Sequence, residues 1–352
     1  MNFDQSDDRR MLAETLSRFL ADRYDLKTRN AVAYTAPWHS PENWAQLAEL
    51  GVLYALADAD HGGFGGTGFD IMTVFQSLGA GLCPEPVLPA LLAARLLSHT
   101  DADLEPLLTG ALHYAVAIGE LNADSLDEID TTATDSKLTG RKSVVYGAHI
   151  AEKILVAARD GDTLSVYEID AADARITPYG MIDGGGAAEV FLDATPARLL
   201  LADAGKALQD VLDAGALALS AEALGAMETT RDTLIDYLKQ RQQFGRAIGS
   251  FQALQHRAVE LVTEIEQARS IVILAASKMG DTDQSRTASM CKNLCGRAAV
   301  LVAEEAIQMS GGIAMTWEYP VSHFAKRLVM IDAQLGDTDY HLKRVMAGLQ
   351  AV

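Results

Sequence analysis

The stretch Asp236–Glu266 reads DYLKQRQQFGRAIGSFQALQHRAVELVTEIE, and Ile307–Glu318 answers it with IQMSGGIAMTWE. The first predicts a helix carrying Tyr237 and Leu238 that ends at Phe244-Gly245, because glycine takes the left-handed turn that closes a helix. Ser250 is the expected cap of a second helix. Its apolar positions Phe251, Leu254, Ala258, Leu261, Val262, Ile265 and Ala268 keep a helical period, with Gln252, Gln255, His256 and Arg257 between them. In the second stretch a helix is expected to end at Gly311-Gly312, where a ligand can meet the backbone because no Cβ intervenes. Arg241, Phe244, Gln252, Gln308 and the two glycines make a grip suited to a diphosphate with an attached ring. Taken alone, Arg-x-x-Phe-Gly reads equally as a helix end with a cation at its negative pole.

Composition bounds the answer. The chain has 352 residues, 49% hydrophobic, enough for layers around a large core, and its formal charge of −19 argues against a nucleic-acid partner. The three cysteines, Cys83, Cys291 and Cys295, cannot form a disulfide framework; the last two, one helical turn apart, read as small packing residues. A reducing cytoplasm is the expected compartment. No ligand run for a metal and no G-x-S-x-G elbow of a hydrolase is found. The opening MNFDQSDDRR is too acidic for a signal peptide, and no apolar run is expected to reach membrane-spanning length.

Met11, Leu12, Leu16, Phe19 and Leu20 fall on one helical face after a Ser6 cap, and Ser40-Pro41 starts a helix that buries Trp44, Leu47 and Ala48 before Gly51. His61–Asp70, HGGFGGTGFD, lacks the βαβ context of a nucleotide loop and reads as a flexible turn. A helix follows through Ile71, Val74, Phe75 and Leu78, is broken at Cys83–Pro86, and is succeeded by a buried helix over Val87–Leu97. Near Gly110 the pattern changes to alternating runs, HYAVAI, KSVVYG, KILVAA, LSVYEI and AEVFLD, which predict a small antiparallel sheet or barrel. Asp160–Thr163, DGDT, is the best hairpin signal, and Gly184–Gly186 reads as a loop. Helices return beyond Ala202. The expectation is an α+β fold: a helical domain over 1–110, a β-domain over 111–201 and a helical bundle over 202–352.

In this order and spacing, RQQFG, IGSFQALQH and IQMSGGIAMTWEYP resemble the acyl-CoA dehydrogenase family, over the whole chain and most strongly from Ala221 to His341. The resemblance implies the three-part fold of that family and FAD as cofactor. By it Arg241, Gln243, Phe244, Phe251, Gln252, Gln308, Gly311 and Gly312 hold the adenine and diphosphate half of FAD, as a guanidinium and side-chain amides are suited to do. Through DYLKQRQQFGRAIGSFQALQHRA and KRLVMIDAQLGDTDYHL the chain resembles subunits of heteromeric members, the pimeloyl-CoA dehydrogenase type and those of steroid side-chain degradation.

The chain departs from the family in two places. Where members place a T-E-P turn and an aromatic with a nearby Thr against the flavin ring, this sequence has Ala117-Ile118-Gly119-Glu120 and Val144-Val145-Tyr146. Where members carry the catalytic Glu, it has Gly336 in LGDTDYH or Gly215 on the helix leading to Arg241, with Asp337 and Asp213 nearby. The resemblance therefore implies a non-catalytic subunit of an α2β2 acyl-CoA dehydrogenase. Its partner carries the catalytic Glu, acyl-CoA is the substrate and an electron-transfer flavoprotein the acceptor. Two rival readings are a homo-oligomeric enzyme with a displaced carboxylate base and a structural helical protein without cofactor.

Overall fold

The computed structural model describes residues 6–123 and 125–350; the first five residues of the stretch read against a signal peptide lie outside them. Helices run to Leu108 and resume at Gly205, with strands from Tyr114 to Leu201, as the α+β expectation requires. Helix α1 (Asp7–Arg23) is capped by Ser6, whose Oγ accepts from Arg9 N at 3.4 Å, and has Asp7 and Asp8 at its positive end. It buries Leu16 and Leu20, while Met11, expected on the same face, is exposed. Helix α2 (Leu26–Ala33) escaped the sequence reading because its apolar spacing is weak; Asp25 Oδ1 starts it by accepting from Thr28 N at 2.7 Å. The expected cap, proline and buried Trp44, Leu47 and Ala48 are found in α3 (Pro41–Glu49). Helices α4 (Gly68–Ala80), α5 (Val87–Leu97) and the short α6 (Glu105–Leu108) complete this part.

The turn expected to be flexible between α3 and α4 is instead pinned by its own backbone. Gly63 N donates to Asp58 O, Phe64 N to Tyr54 O, Gly65 N to Ala57 O and Gly66 N to Ala55 O, at 2.8 to 3.1 Å. Glycines were read there as slack, but here they allow backbone to lie against backbone.

The described chain forms two compact units. One comprises the chain to Arg29, Gly68–Cys83 and everything from Ala216. It contains most of α7 (Gly205–Gln240), then α8 (Gln252–Lys278), α9 (Gln284–Ser310), α10 (Pro320–Ala333) and α11 (Thr338–Gln350). Helix α9 packs against α8, α10 and α11, and α4 packs on α1 and α8. At Gly79 and Gly225 an added Cβ would stand 2.0 Å from Glu222 O and 1.9 Å from Gln76 O, so α4 and α7 meet backbone to backbone. Arg327 binds Glu222 through two bonds of 2.6 and 2.7 Å, fixing α10 to α7. Cys291 and Cys295 are free and buried, as expected of packing residues. One expectation is corrected: Gln284–Met315 is by length and composition long and apolar enough to cross a membrane. It is here the central helix of the unit, with Lys292 fully buried on it.

The other unit, Asn30–Thr67 with Pro84–Gly215, is built on a sheet. Its strands are β1 (Tyr114–Ala117), β2 (Thr132–Thr134), β3 (Lys137–Tyr146), β4 (Lys153–Asp160), β5 (Thr163–Asp170), β6 (Arg175–Gly180), β7 (Gly186–Pro196) and β8 (Arg198–Leu201). The order is β6-β7-β3-β2-β4-β5-β8, with β1 also on β4. β1 and β2 both run parallel to β4, so the sheet is mixed rather than antiparallel, although β2 itself forms a tight antiparallel hairpin with β3 that pairs Thr134 with Lys137. DGDT does close the β4–β5 hairpin, pairing Asp160 with Thr163. The strand β6 was missed because it is an edge strand with little buried surface and therefore no alternation to read.

In this unit His39 lies ring to ring with His113 and His149, centroids 5.6 and 6.4 Å apart, against Trp44 and Trp38. Burial pushes all three imidazole pKa values down, His149 to about 4, with Glu152 opposing the shift at His39 and His113. The unfolded chain takes up these protons first, near 6.5, so the cluster supports folding above that pH and the support is lost as pH falls. The melting temperature is expected to drop between pH 6.5 and 4.5, and less steeply in His149→Phe, by scanning calorimetry at each pH.

Candidate functional site

The Arg241 stretch folds differently from the helix end expected of it. Helix α7 stops at Gln240, and β9 (Gln242–Gln243) pairs antiparallel with β10 (Arg246–Ala247). Phe244 and Gly245, at φ 53° and 78°, are its two turn residues. Both are left-handed, which is the tight hairpin turn whose twist matches its strands. The signal used in the sequence, a glycine needing positive φ, is common to a helix end and to this hairpin. The hairpin carries Phe244 outward, 90% exposed on a backbone that a non-glycine residue adopts at a cost of about 1–2 kcal/mol.

The surrounding groups hold this shape. Ile248 N donates to Arg241 O at 2.8 Å. The Arg246 guanidinium lies over the Phe251 ring at 4.1 Å, and Phe244 meets Phe251 edge-on at 6.2 Å. Gln243 Nε2 donates to Gln242 O at 2.8 Å. Ser250 is not the helix cap: its hydroxyl donates to Ala247 O, and α8 starts at Gln252 without a side-chain cap. Of the expected apolar face, Leu261, Ile265 and Ala268 are buried, and Gln252 is exposed in the first turn.

Helix α9 ends where expected, at Ser310, with Gly311 at φ 69°. A Cβ placed on Gly311 or Gly312 meets nothing within 4 Å, so this backbone is open to an incoming group. Gln308 is exposed one turn before it. The two stretches are brought to one end of the unit: Arg257 on α8 binds Glu305 on α9 at 2.6 Å, and the Tyr237 and Tyr319 rings are 5.9 Å apart. Met315 and Trp317, beyond the glycines, are 75% and 50% exposed. Among the described residues Arg241 has no ion-pair partner. An unpaired guanidinium, outward aromatics, amides and open glycine backbone suit a diphosphate joined to a flat ring. These residues fit the adenine-diphosphate half of FAD.

The β-unit residues at the places of the ring-binding groups are occupied otherwise. Glu120 accepts from Lys142 Nζ and Thr131 Oγ1 at 2.6 Å and from Asp130 N at 2.8 Å, while Lys142 Nζ also donates to Ile118 O. Burial pushes Lys142 down to about 8 against the pull of Glu120. Burial raises the Glu120 carboxyl, but the bonds from Lys142 and Thr131 outweigh it and the net shift is downward. The ladder between β3 and β7 slips between Lys142 and Val145, and Val144 stands at φ 50° and is 41% exposed. Glu189 fixes this bulge by accepting from Ser143 Oγ, Val144 N, Tyr179 OH and Arg141. Tyr146 is half-buried at the end of β3.

The candidate carboxylates are both engaged. Asp337 is exposed and caps α11, its Oδ1 accepting from Tyr340 N at 2.8 Å. Asp213, in the other unit, is buried and accepts from Gln209 Nε2 at 2.8 Å. Gly336 stands at φ 95°, and a Cβ there would lie 2.3 Å from the Tyr340 ring. Its carbonyl and that of Asp332 accept from Lys292 Nζ, both at 2.9 Å. Burial pushes Lys292 down to about 8 and, together with the Lys292 charge, His341 down to about 4. Neither lysine was singled out in the sequence. The available signal was a lysine inside an otherwise buried pattern, between Cys291 and Cys295 or beside Val144 and Val145.

Comparison with known proteins bears on this arrangement. Residues 204–350 match the family described as acyl-CoA dehydrogenase, C-terminal domain. The chain is 29% identical to acyl-CoA dehydrogenase IpdE2 of Mycolicibacterium smegmatis, over 97% of this chain and 99% of that protein. It is 30% identical to acyl-CoA dehydrogenase FadE34 of Mycobacterium tuberculosis, over 88% of this chain and 42% of that one. Among solved structures, a variant of the Tcur3481-Tcur3483 steroid ACAD superposes with TM-score 0.90 at 25% identity, covering 98% of this chain and 99% of that one. The ChsE4-ChsE5 complex from Mycobacterium tuberculosis superposes with TM-score 0.91 at 20% identity, covering the whole of both chains.

Two substitutions test the local geometry. Phe244→Asn, placing Asn-Gly in the turn, is expected to raise stability by about 0.5–1 kcal/mol in denaturant melts, since Asn tolerates the left-handed conformation. Gly336→Glu, which writes the family carboxylate into the α10–α11 turn, is expected to lower it by more than about 1–2 kcal/mol from backbone strain alone, before the Tyr340 clash.

Proposed function

Because this chain belongs to the acyl-CoA dehydrogenase family, we propose that it is the non-catalytic subunit of a heteromeric, flavin-dependent acyl-CoA dehydrogenase. It holds the adenine-diphosphate half of an FAD whose ring sits in the other subunit. What supports this reading is the asymmetry of its groups: the Arg241–Gln252 and Gln308–Gly312 surfaces are open and outward, while glycines, Gly336 and Gly215, stand where the resemblance places the base. The name of the ChsE4-ChsE5 complex supports a second, unlike subunit, and the FAD complex of PigA, similar at TM-score 0.88, supports the cofactor.

When bound, FAD supplies the hydride acceptor for α,β-dehydrogenation of an acyl-CoA thioester. This chain's part is binding. The Arg241 guanidinium neutralises diphosphate charge, Gln252 and Gln308 bond polar edges, and the Phe244 and Phe251 rings cover an apolar face. Gly311 and Gly312 let the phosphates approach main chain without a side chain between. Proton abstraction next to the thioester falls to a carboxylate of the partner, since Gly336 carries no acid and Asp337 is used as a helix cap. The acceptor is an electron-transfer flavoprotein, and the compartment is cytoplasmic.

The chain is expected to be colourless when made alone and to bring about one flavin per two chains when co-purified with an acyl-CoA dehydrogenase-like partner subunit encoded nearest to it. Within that complex Arg241→Ala should weaken flavin retention by about 1.5–3 kcal/mol, read by flavin absorbance after dialysis. Asp337→Asn should leave turnover with fatty and steroid-side-chain acyl-CoA thioesters nearly unchanged. A yellow, active preparation of this chain alone, or a collapse of rate in Asp337→Asn, would return the base to this subunit.

A further inference from the structure

A buried hydroxyl on a helix can be satisfied by the turn before it, and Ser77, Ser220 and Thr230 each donate to the carbonyl four residues back, at 2.7 to 2.9 Å. Ser310 does not. It is the last residue of α9 and 4% exposed, and its Oγ is buried without a partner among the described residues. Ser289 shares this state, but within α9 rather than at an open end. The phenol oxygen of Tyr319, the residue before α10, is buried and unpaired in the same way. The two groups are neighbours: burial raises the Tyr319 pKa and the Ser310 hydroxyl draws it part of the way back, yet the oxygens complete no bond. The Tyr319 ring also lies 5.9 Å from that of Tyr237 on α7. Unsatisfied buried hydroxyls lower stability, and each needs a reason for being kept. Here the next two residues after Ser310 are Gly311 and Gly312, whose backbone lies open.

We propose that Ser310 binds the diphosphate seated on Gly311 and Gly312, donating to a phosphate oxygen, and that Tyr319 positions it by donating to the Ser310 oxygen from behind. The inference rests on the reading of this surface as the seat of a diphosphate. A rotation about one Cα–Cβ bond is all that a serine needs to change its hydrogen-bond partner. The bond to phosphate is charge-assisted, and two hydroxyls in a chain strengthen one another. The free chain thus carries a destabilising pair that the ligand satisfies. Stability and affinity are then opposed at these two residues, which a pair with a purely structural role does not produce.

The test uses the full-length chain, with ADP as the probe of the diphosphate half. Calorimetric titration of the wild type, Ser310→Ala and Tyr319→Phe is paired with the melting temperature of each without ligand, and Arg241→Ala serves as the reference for the reading itself. Ser310→Ala is expected to weaken ADP binding at least about tenfold and Tyr319→Phe about threefold. Both should melt about 1–3 °C above the wild type, since each loses only an unpaired oxygen. Undiminished ADP affinity in Ser310→Ala, or a lower melting temperature in either variant, would overturn the inference. If Arg241→Ala weakens ADP binding and the hydroxyl variants do not, the inference falls alone. If the wild type does not bind ADP, or Arg241→Ala binds it equally well, the diphosphate reading falls and the inference with it.

Discussion

Lys292 is a charged group with no measurable exposure, and the turn between α10 and α11 is built around satisfying it. Removing an ammonium from water costs several kcal/mol, and that cost is met only if its protons find acceptors. They find the carbonyls of Asp332 and Gly336, one at the end of α10 and the other in the turn before α11. Around this contact Thr338 Oγ1 bonds Asp332, Asn293 Nδ2 bonds Thr338 O, and the buried His341 ring faces Leu335 O. An added Cβ on Gly296 would stand 2.1 Å from Asp332, so α9 has no bulk to spare there. The last three helices are thereby locked in one register. The same lock fixes Gly336 in a conformation that any residue with a side chain would strain.

Much of this was open to reading because it rests on local chemistry. Ser6 and Ser40 cap as serines before helices do, Gly161 closes its hairpin, and Gln308 and the glycine pair end α9 in the expected place. Phe244-Gly245 was read as a helix end because positive φ is all that the dipeptide encodes, and two turn types satisfy it. The parallel pairing of β1 and β2 with β4 is a long-range choice with no local signature. Lys142 and Lys292 were passed over because their partners are backbone carbonyls and a glutamate 22 residues away, none of which can be paired from spacing. What makes a buried lysine tolerable is tertiary.

The two sets of positions that the resemblance assigns to a flavin obey different physics in this chain. The diphosphate half needs exposed charge, amides and bare backbone, and those survive on the surface of the helical unit. The ring half needs a flat apolar slot beside hydrogen-bond donors. At the corresponding β-unit positions the donors are used by Glu120 and Glu189, and Val144 projects from a bulge held by four groups. Each arrangement is internally satisfied, so neither looks like a damaged version of the other. A subunit can keep half of a binding site as a stable surface once the remaining half is supplied elsewhere.

The outward Phe244, Met315 and Trp317 have a consequence outside catalysis. Large exposed aromatic and thioether groups are what folding helpers and quality-control proteases recognise in a lone polypeptide, and what drives concentrated protein to clump. A covering partner of the kind proposed would remove the exposure that the hairpin presenting Phe244 otherwise leaves on the surface.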